Sequence, residues 1–233
     1  GDGLINGVLR PYIQQANPLC SNQLDTNESE GNSVNAIGFA EVRFLKDFKF
    51  TSTNSVSSEE TRSTITTNPW FGQYASQNGA ITVEHDRTWS YNYQQLLTWH
   101  HQFDQHEVDA MLGHEYYRRK YYVLYGDKTN MYTFPSNDMA SAVNTGSTNS
   151  YRNDYNTEGW FGRVQYNYDQ KYFASMSYRR DASSRFAPEN RWGNFWSFGG
   201  AWMISKEKFF NVSWIDELKI KASYGEQGND NIQ

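Results

Sequence analysis

Four histidines, His100, His101, His106 and His114, fall in one short stretch of the chain. Imidazoles at such density would suit a zinc or other transition-metal site. Their spacing argues against a shared one. The stretch reads as extended, so His100 and His101 point to opposite faces, and His106 closes the turn-like "FDQH" at Phe103–His106. No metal site is expected from them. The carboxylates are no better placed for hydrolysis. Glu59 and Glu60 face apart on an extended chain, and nothing sets either of them across a substrate from Glu115. "DTNESEG" at Asp25–Gly31 opens like a calcium loop, but its glycine comes one position late and no closing Glu follows. A polar loop is expected there. "GDGLING" at Gly1–Gly7 lacks the spacing and the preceding strand of a dinucleotide fingerprint. No catalytic residues and no cofactor are expected.

Two other groups invite a function. The run Arg179-Arg180-Asp181-Ala182-Ser183-Ser184-Arg185-Phe186 brings three guanidinium groups together. They could hold an acidic ligand, a lipid phosphate or a partner protein. The favoured expectation is structural: an outer loop in which Arg179, Arg180, Asp181, Ser183, Ser184, Arg185 and Phe186 are held by Arg–Asp pairs and Ser–backbone hydrogen bonds. The second group is aromatic. Trp70, Phe71, Tyr74, Tyr132, Phe134 and Trp192 stand in segments that read as loops, where a sugar ring, a peptide side chain or a covering protein could rest on them. Loop packing and anchoring at a membrane interface are the competing uses.

The elements that must position these groups are strands. Period-2 alternation dominates, and no long stretch keeps a helical period. Eight strands are expected: Ile37–Leu45, Asp47–Ser57, Thr82–Gln102, Glu107–Tyr125, Gly159–Tyr168, Tyr172–Asp181, Trp192–Ile204 and Leu218–Tyr224. In the sixth, Tyr172, Ala174, Met176 and Tyr178 alternate with Phe173, Ser175, Ser177 and Arg179. Connections alternate in length. Lys46-Asp47, Phe103–His106 and Tyr168–Lys171 are tight, whereas Ser57–Thr82, Gly126–Thr157 and Arg180–Arg191 read as long polar loops. Short turns on one rim and long loops on the other are the layout of an outer-membrane barrel. Aromatics also gather at the strand ends: Phe48, Phe103, Tyr168 and Tyr172 at short turns, Trp160 and Trp196 toward the long loops.

Composition narrows the class in the same direction. Apolar residues make up 37% and mean hydropathy is -0.84, yet aromatics reach 17%, with 17 Tyr, 14 Phe and 8 Trp. Disordered chains are poor in aromatics. Barrels with one lipid face and one wet face combine low hydropathy with many rings. So do carbohydrate-binding β-proteins, and a soluble β-sandwich or propeller is the competing fold. Its strands usually run ~5–6 residues, shorter than several here. The net charge of -5 gives no case for nucleic acid. The single Cys20 excludes a disulfide framework within the chain. No apolar run approaches the ~18 residues of a membrane helix, which leaves a barrel open. Gly1 is not an initiator Met and the chain stops after a strand-like run, so an excerpt of a longer protein is expected.

The run from Tyr172 to Phe210, with "WIDELKIKASYGEQGNDNI" after it, resembles the SusC/RagA family of TonB-dependent outer-membrane transporters. The residues that carry the likeness are Arg179–Phe186, Ala201–Ser205, Glu207–Phe210 and Trp214–Asn229, in the family's order and spacing. It is sharp over Trp160–Ile232 and general upstream. Ala182 and Met203 stand where the family commonly has Gly and Arg. The resemblance implies an all-β antiparallel transmembrane barrel of 22 strands with a plugged lumen. Residues 1–233 would form an arc of about eight strands, and the plug domain and TonB box would lie outside this chain. It implies an active importer of glycans or peptides in the outer membrane of a Gram-negative bacterium. Its partners would be a SusD-like surface lipoprotein, TonB and outer-membrane lipid, in an arrangement that admits a dimer of transporter–lid pairs. Tyr172, Met176, Tyr178, Trp196, Phe198 and Trp202 would then face lipid. A passive porin and a soluble glycan-binding β-protein are the alternatives.

Overall fold

The computed structural model describes residues 22–230 and the backbone of two short paired strands, β1 (Leu4–Ile5) and β2 (Val8–Leu9). The sequence expectations for Gly1–Gly7 and Cys20 otherwise fall outside the described residues. Eight longer strands follow: β3 (Thr26–Phe44), β4 (Phe48–Thr67), β5 (Ala80–Phe103), β6 (His106–Met131), β7 (Ala142–Tyr168), β8 (Tyr172–Ser183), β9 (Trp192–Met203) and β10 (Lys219–Gly225). They form one antiparallel sheet in the order β10-β9-β8-β7-β6-β5-β4-β3. Each strand pairs with its neighbour in sequence, and β3 and β10 are open edges. This is the expected all-β arc of eight strands.

The tight turns lie where the sequence placed them. Asp169 and Gln170 both take the left-handed conformation, with φ of 51° and 52°. That backbone twist matches the twist of the flanking strands in a hairpin. Lys171 Nζ closes on Asp169 Oδ2 at 2.7 Å, and the adjacent carboxylate raises the Lys171 pKa above its ordinary value. Leu45 and Lys46 turn β3 into β4 in the same way, with φ of 48° and 64°.

The long loops are shorter than expected. β3 begins at Thr26, so "DTNESEG" is not a polar loop but, from its second residue, a strand. β4 continues to Thr67, β6 to Met131, and β7 begins already at Ala142. Only 68–79, 132–141 and 184–191 connect them. The added strand is Ser-, Thr- and Asn-rich on both sides, so it carries no period-2 signal. It is held instead by the backbone ladder and by cross-strand hydroxyl pairs such as Thr26–Thr66 (2.5 Å) and Ser29–Ser63 (3.4 Å). The segment after β9 holds a short helical turn, at Ile204–Lys206.

The chain divides into two compact units. The first comprises Gly1–Val34, Ser57–Trp89 and Lys120–Asp154. Its small core is Ile81, Met131 and Ala142, with Val83, Phe134 and Met139 packed against it. The second comprises Asn35–Val56, Ser90–Arg119 and Tyr155–Gln233. Among its described residues, the only buried hydrophobics are Ala182 and Met203, while Met176, Phe198, Trp196 and Trp202 are exposed. A sandwich would bury one face of each sheet against another. Here the apolar face has no protein layer over it among the described residues.

Candidate functional site

The second unit presents two chemically distinct faces. Directly paired residues on antiparallel strands share a face. Tyr172 stands opposite Trp202, Met176 opposite Phe198, and Tyr178 opposite Trp196. The row continues outward to Val164 on β7 and to Ile220 and Tyr224 on β10. The six side chains assigned to lipid therefore lie together, and each is 37 to 50% exposed.

Along the short-turn rim this face carries an unbroken row of rings. It runs Phe44, Phe48, Trp99, His101, Phe103, His106, Tyr168, Tyr172, Trp202 and Phe209, with neighbouring centroids 4.9 to 6.4 Å apart. Phe48, Phe103, Tyr168 and Tyr172 were legible in sequence as such a girdle. His101 and His106 were not, because a histidine invites a metal before it invites a stack. The polar tips of the row find partners. Tyr172 Oη and Trp202 Nε1 both donate to Glu207 Oε1, at 2.5 and 3.1 Å. These two bonds lower the Glu207 pKa below its ordinary value. Rings with an apolar body and a hydrogen-bonded tip suit a boundary between hydrocarbon and water.

The opposite face is polar. On it Ser177 and Ser197 bond at 2.7 Å, Asn167 donates to Glu107 at 2.8 Å, and Lys219 lies 4.1 Å from the centroid of Phe173. His100, on this face, bonds Asp109 at 2.7 Å; on the apolar face His101 bonds Asp47 at 2.8 Å, His106 bonds Tyr166 at 2.6 Å, and His114 bonds Glu158 at 3.1 Å. The four histidines thus have four different partners. One grouping escaped the sequence, however: His100, Glu107 and Asp109 bring three potential ligand atoms within 4.8 Å of one another. It is assembled by strand pairing across the β5–β6 turn, which a search among histidines alone does not reveal.

The Arg-rich run is not a single loop. Arg179–Ser183 belong to β8, and the connection is only 184–191. Strand alternation then separates its two leading arginines. Arg179 lies on the polar face, where it bonds Asp181 (2.6 Å) and Glu115 and stacks on Phe161 at 5.1 Å. Gly113 makes room for that ring: a Cβ there would meet Phe161 at 2.3 Å. Arg180 lies on the apolar face, 4.9 Å over Trp192. Ser183 donates to Asp230 Oδ2 (2.8 Å), Tyr155 to the same oxygen (2.5 Å), and Arg185 to the Asp230 carbonyl (3.0 Å). Ser184 accepts from the Asn156 N–H at 2.9 Å, and the Phe186 N–H donates to Ser183 O at 3.3 Å. The Tyr155 and Ser183 bonds hold the Asp230 carboxyl below the usual carboxylate range. Arg–Asp pairing and Ser–backbone bonding are both present. Glu115, Tyr155 and Asp230 are partners that spacing alone could not supply.

In the first unit, two of the loop aromatics meet. Trp70 and Phe134 meet edge to face at 5.2 Å, and Trp70 and Tyr132 remain 61% and 69% exposed. Asn68, fully buried, organises the loop. It donates through its backbone N–H and Nδ2 to Asp25 Oδ1 (2.8 and 2.7 Å), and its Oδ1 accepts the N–H groups of Trp70 and Phe71 (3.0 and 3.1 Å). Gln77 and Gly79 donate to the Tyr74 carbonyl. Tyr132 Oη donates to the Ala140 carbonyl at 2.7 Å. Trp192 does not join this group. It is the first residue of β9, not a loop residue, and belongs to the second unit.

No family model matches the chain. The TonB-dependent receptor SusC of Bacteroides thetaiotaomicron is 29% identical over 226 residues, covering 93% of this chain and 21% of that protein. The TonB-dependent receptor P3 of Formosa agariphila is 27% identical over 219 residues, covering 93% of this chain and 22% of that protein. A structure of the RagAB peptide transporter superimposes with a TM-score of 0.87 at 24% identity, over 98% of this chain and 27% of its own. The chain spans less than a quarter of the length of these two curated relatives. Together with the two faces, these matches define a wall of an outer-membrane β-barrel. Within that class, the chain is similar to the SusC/RagA type of TonB-dependent receptors.

Proposed function

We propose that this chain is the wall of an active importer that takes up glycans or peptides across the outer membrane. The observation that carries this is the unbroken aromatic row from Phe44 to Phe209 on a face that also exposes Met176, Tyr178, Trp196 and Phe198. Such a face is stable against hydrocarbon and costly against water. Tyr172, Met176, Tyr178, Trp196, Phe198 and Trp202 meet lipid. The Ser-, Arg- and Glu-lined opposite face meets the lumen. The eight strands β3–β10 are barrel wall, and the plug and the TonB-contacting segment lie outside them. A SusD-like lipoprotein closes over the long-loop rim, and TonB moves the plug to admit cargo. The exposed rings of Trp70 and Tyr132 are the side chains placed to touch cargo or lid. No covalent bond in the cargo is made or broken.

The names of the relatives, TonB-dependent receptors and a peptide transporter, support this reading. The test is purification of the full-length protein from membranes, followed by uptake in cells. Import predicts extraction only with detergent, a co-purifying lipoprotein, and uptake that stops when TonB is removed. A product that stays monodisperse without detergent contradicts the membrane assignment. Uptake that persists without TonB favours a passive porin.

A further inference from the structure

A cavity of about 760 Å³ opens in the first unit, lined by Arg87, Trp89, Lys120, Tyr122, Arg152 and Asp154 on β5, β6 and β7. Tyr121, also at its edge, turns its hydroxyl to Asp86 (2.9 Å) and its ring to Tyr151 (6.2 Å), on one face of the sheet. Alternation places Arg87, Trp89, Lys120, Tyr122 and Arg152 on the other face. There the Arg152 guanidinium lies 5.6 Å from the centroid of Tyr122. Trp89 shares its parity on β5 with Trp99 and Phe103, and Lys120 shares its parity on β6 with His106.

The charges are out of balance. Among the described residues, Arg87, Lys120 and Arg152 form no ion pair with a carboxylate, unlike Arg43 and Arg179. Asp154 is the one acid in the lining, and it has an interaction of its own. Three cations around two half-exposed rings suit a phosphate next to apolar chains. Guanidinium forks match phosphate oxygens in pairs. Trp and Tyr suit the sugar–hydrocarbon boundary beneath them.

We propose that this cavity binds the phosphate of a phosphorylated glycolipid in the outer leaflet. Arg87, Lys120 and Arg152 supply the charge, and Trp89 and Tyr122 supply the surface for the sugar. The proposal rests on the reading above that this side of the wall faces the membrane.

The test uses the full-length protein in detergent. Bis-phosphorylated lipid A and its dephosphorylated form serve as probes, and inorganic phosphate as competitor. Binding is read by native mass spectrometry. Wild type is expected to prefer the phosphorylated form, and the triple variant Arg87→Gln, Lys120→Gln, Arg152→Gln to lose that preference by roughly 10- to 100-fold. Heat-modifiable gel mobility checks that the variant is a folded barrel; should it not fold, Lys120→Gln alone is expected to weaken the preference about 5-fold. Equal binding of both lipids by wild type overturns the proposal, as does an unchanged preference in a folded variant. Displacement by millimolar inorganic phosphate alone would make this a free-anion site and overturn the lipid assignment. A protein that needs detergent but shows no phosphate preference sinks this inference and leaves the importer reading standing. A protein that needs no detergent sinks the importer reading first.

Discussion

Met176 and Phe198 stand directly opposite each other on β8 and β9, both about half exposed, while their strand neighbours Ser177 and Ser197 are hydrogen-bonded on the other face. In the proposed wall, one residue step separates a hydrocarbon environment from a watery one. Met176→Arg is expected to destabilise the folded barrel by roughly 2–4 kcal/mol, and Ser177→Arg by less than about 1 kcal/mol. Reversible urea unfolding in lipid vesicles measures both. Equal costs at the two positions would remove the assignment of faces.

Arg179 joins three strands by bonding Glu115 on β6 and Asp181 on β8 and by stacking on Phe161 of β7. It is 40% exposed, so each ion pair is worth little by itself. Arg179→Ala should cost about 1–2 kcal/mol in the same assay. Arg179→Lys should recover less than half of that, because a single ammonium cannot fork to two carboxylates and lie flat on a ring. Full stability in Arg179→Ala would show that the motif is held by its backbone alone.

Asp230 accepts from Tyr155 and Ser183, and its pKa lies below that of a free carboxylate. A depressed folded pKa gives stability that is present above the unfolded value and lost as pH falls through the folded value. Amide exchange at residues 155–157 should therefore stay slow down to about pH 4, the ordinary Asp value, and quicken below it. In Asp230→Asn that pH step should vanish. An unaltered step in the variant would assign it to another carboxylate.

Asn68 is fully buried and makes four hydrogen bonds in its loop. Asn68→Ala leaves the Trp70 and Phe71 N–H groups and the Asp25 carboxylate short of partners, at a cost of roughly 1–3 kcal/mol. Loss of exchange protection at Trp70 and Phe71 should accompany it. Unchanged protection would mean that the Trp70–Phe134 contact alone orders the loop.

The strands were most legible where their two sides differ. β8 and β9 alternate exposed and half-buried residues almost without exception, with large apolar side chains on one side and small or polar ones on the other. β3 before Ile37 and β7 before Gly159 are mostly polar on both sides. Asn, Ser and Thr then serve either face, alternation disappears, and a strand looks like a loop. The Arg-rich run hid its division for a related reason. Arg179 and Arg180 are adjacent and alike, but one turns to Glu115 and the other to Trp192. Partners from distant strands, such as Asp230 for Tyr155 and Asp25 for Asn68, leave no local pattern to read.

The central claim is that the face bearing Met176 meets lipid. Spin labels placed singly at Met176→Cys and Ser177→Cys, in full-length protein with Cys20→Ser and reconstituted in vesicles, test it most directly. Relaxation by oxygen, which partitions into lipid, and by a water-soluble nickel chelate is then compared. Oxygen access with little nickel access is expected at position 176, and the reverse at position 177. Nickel access at both positions, or access to neither reagent at position 176, would contradict it.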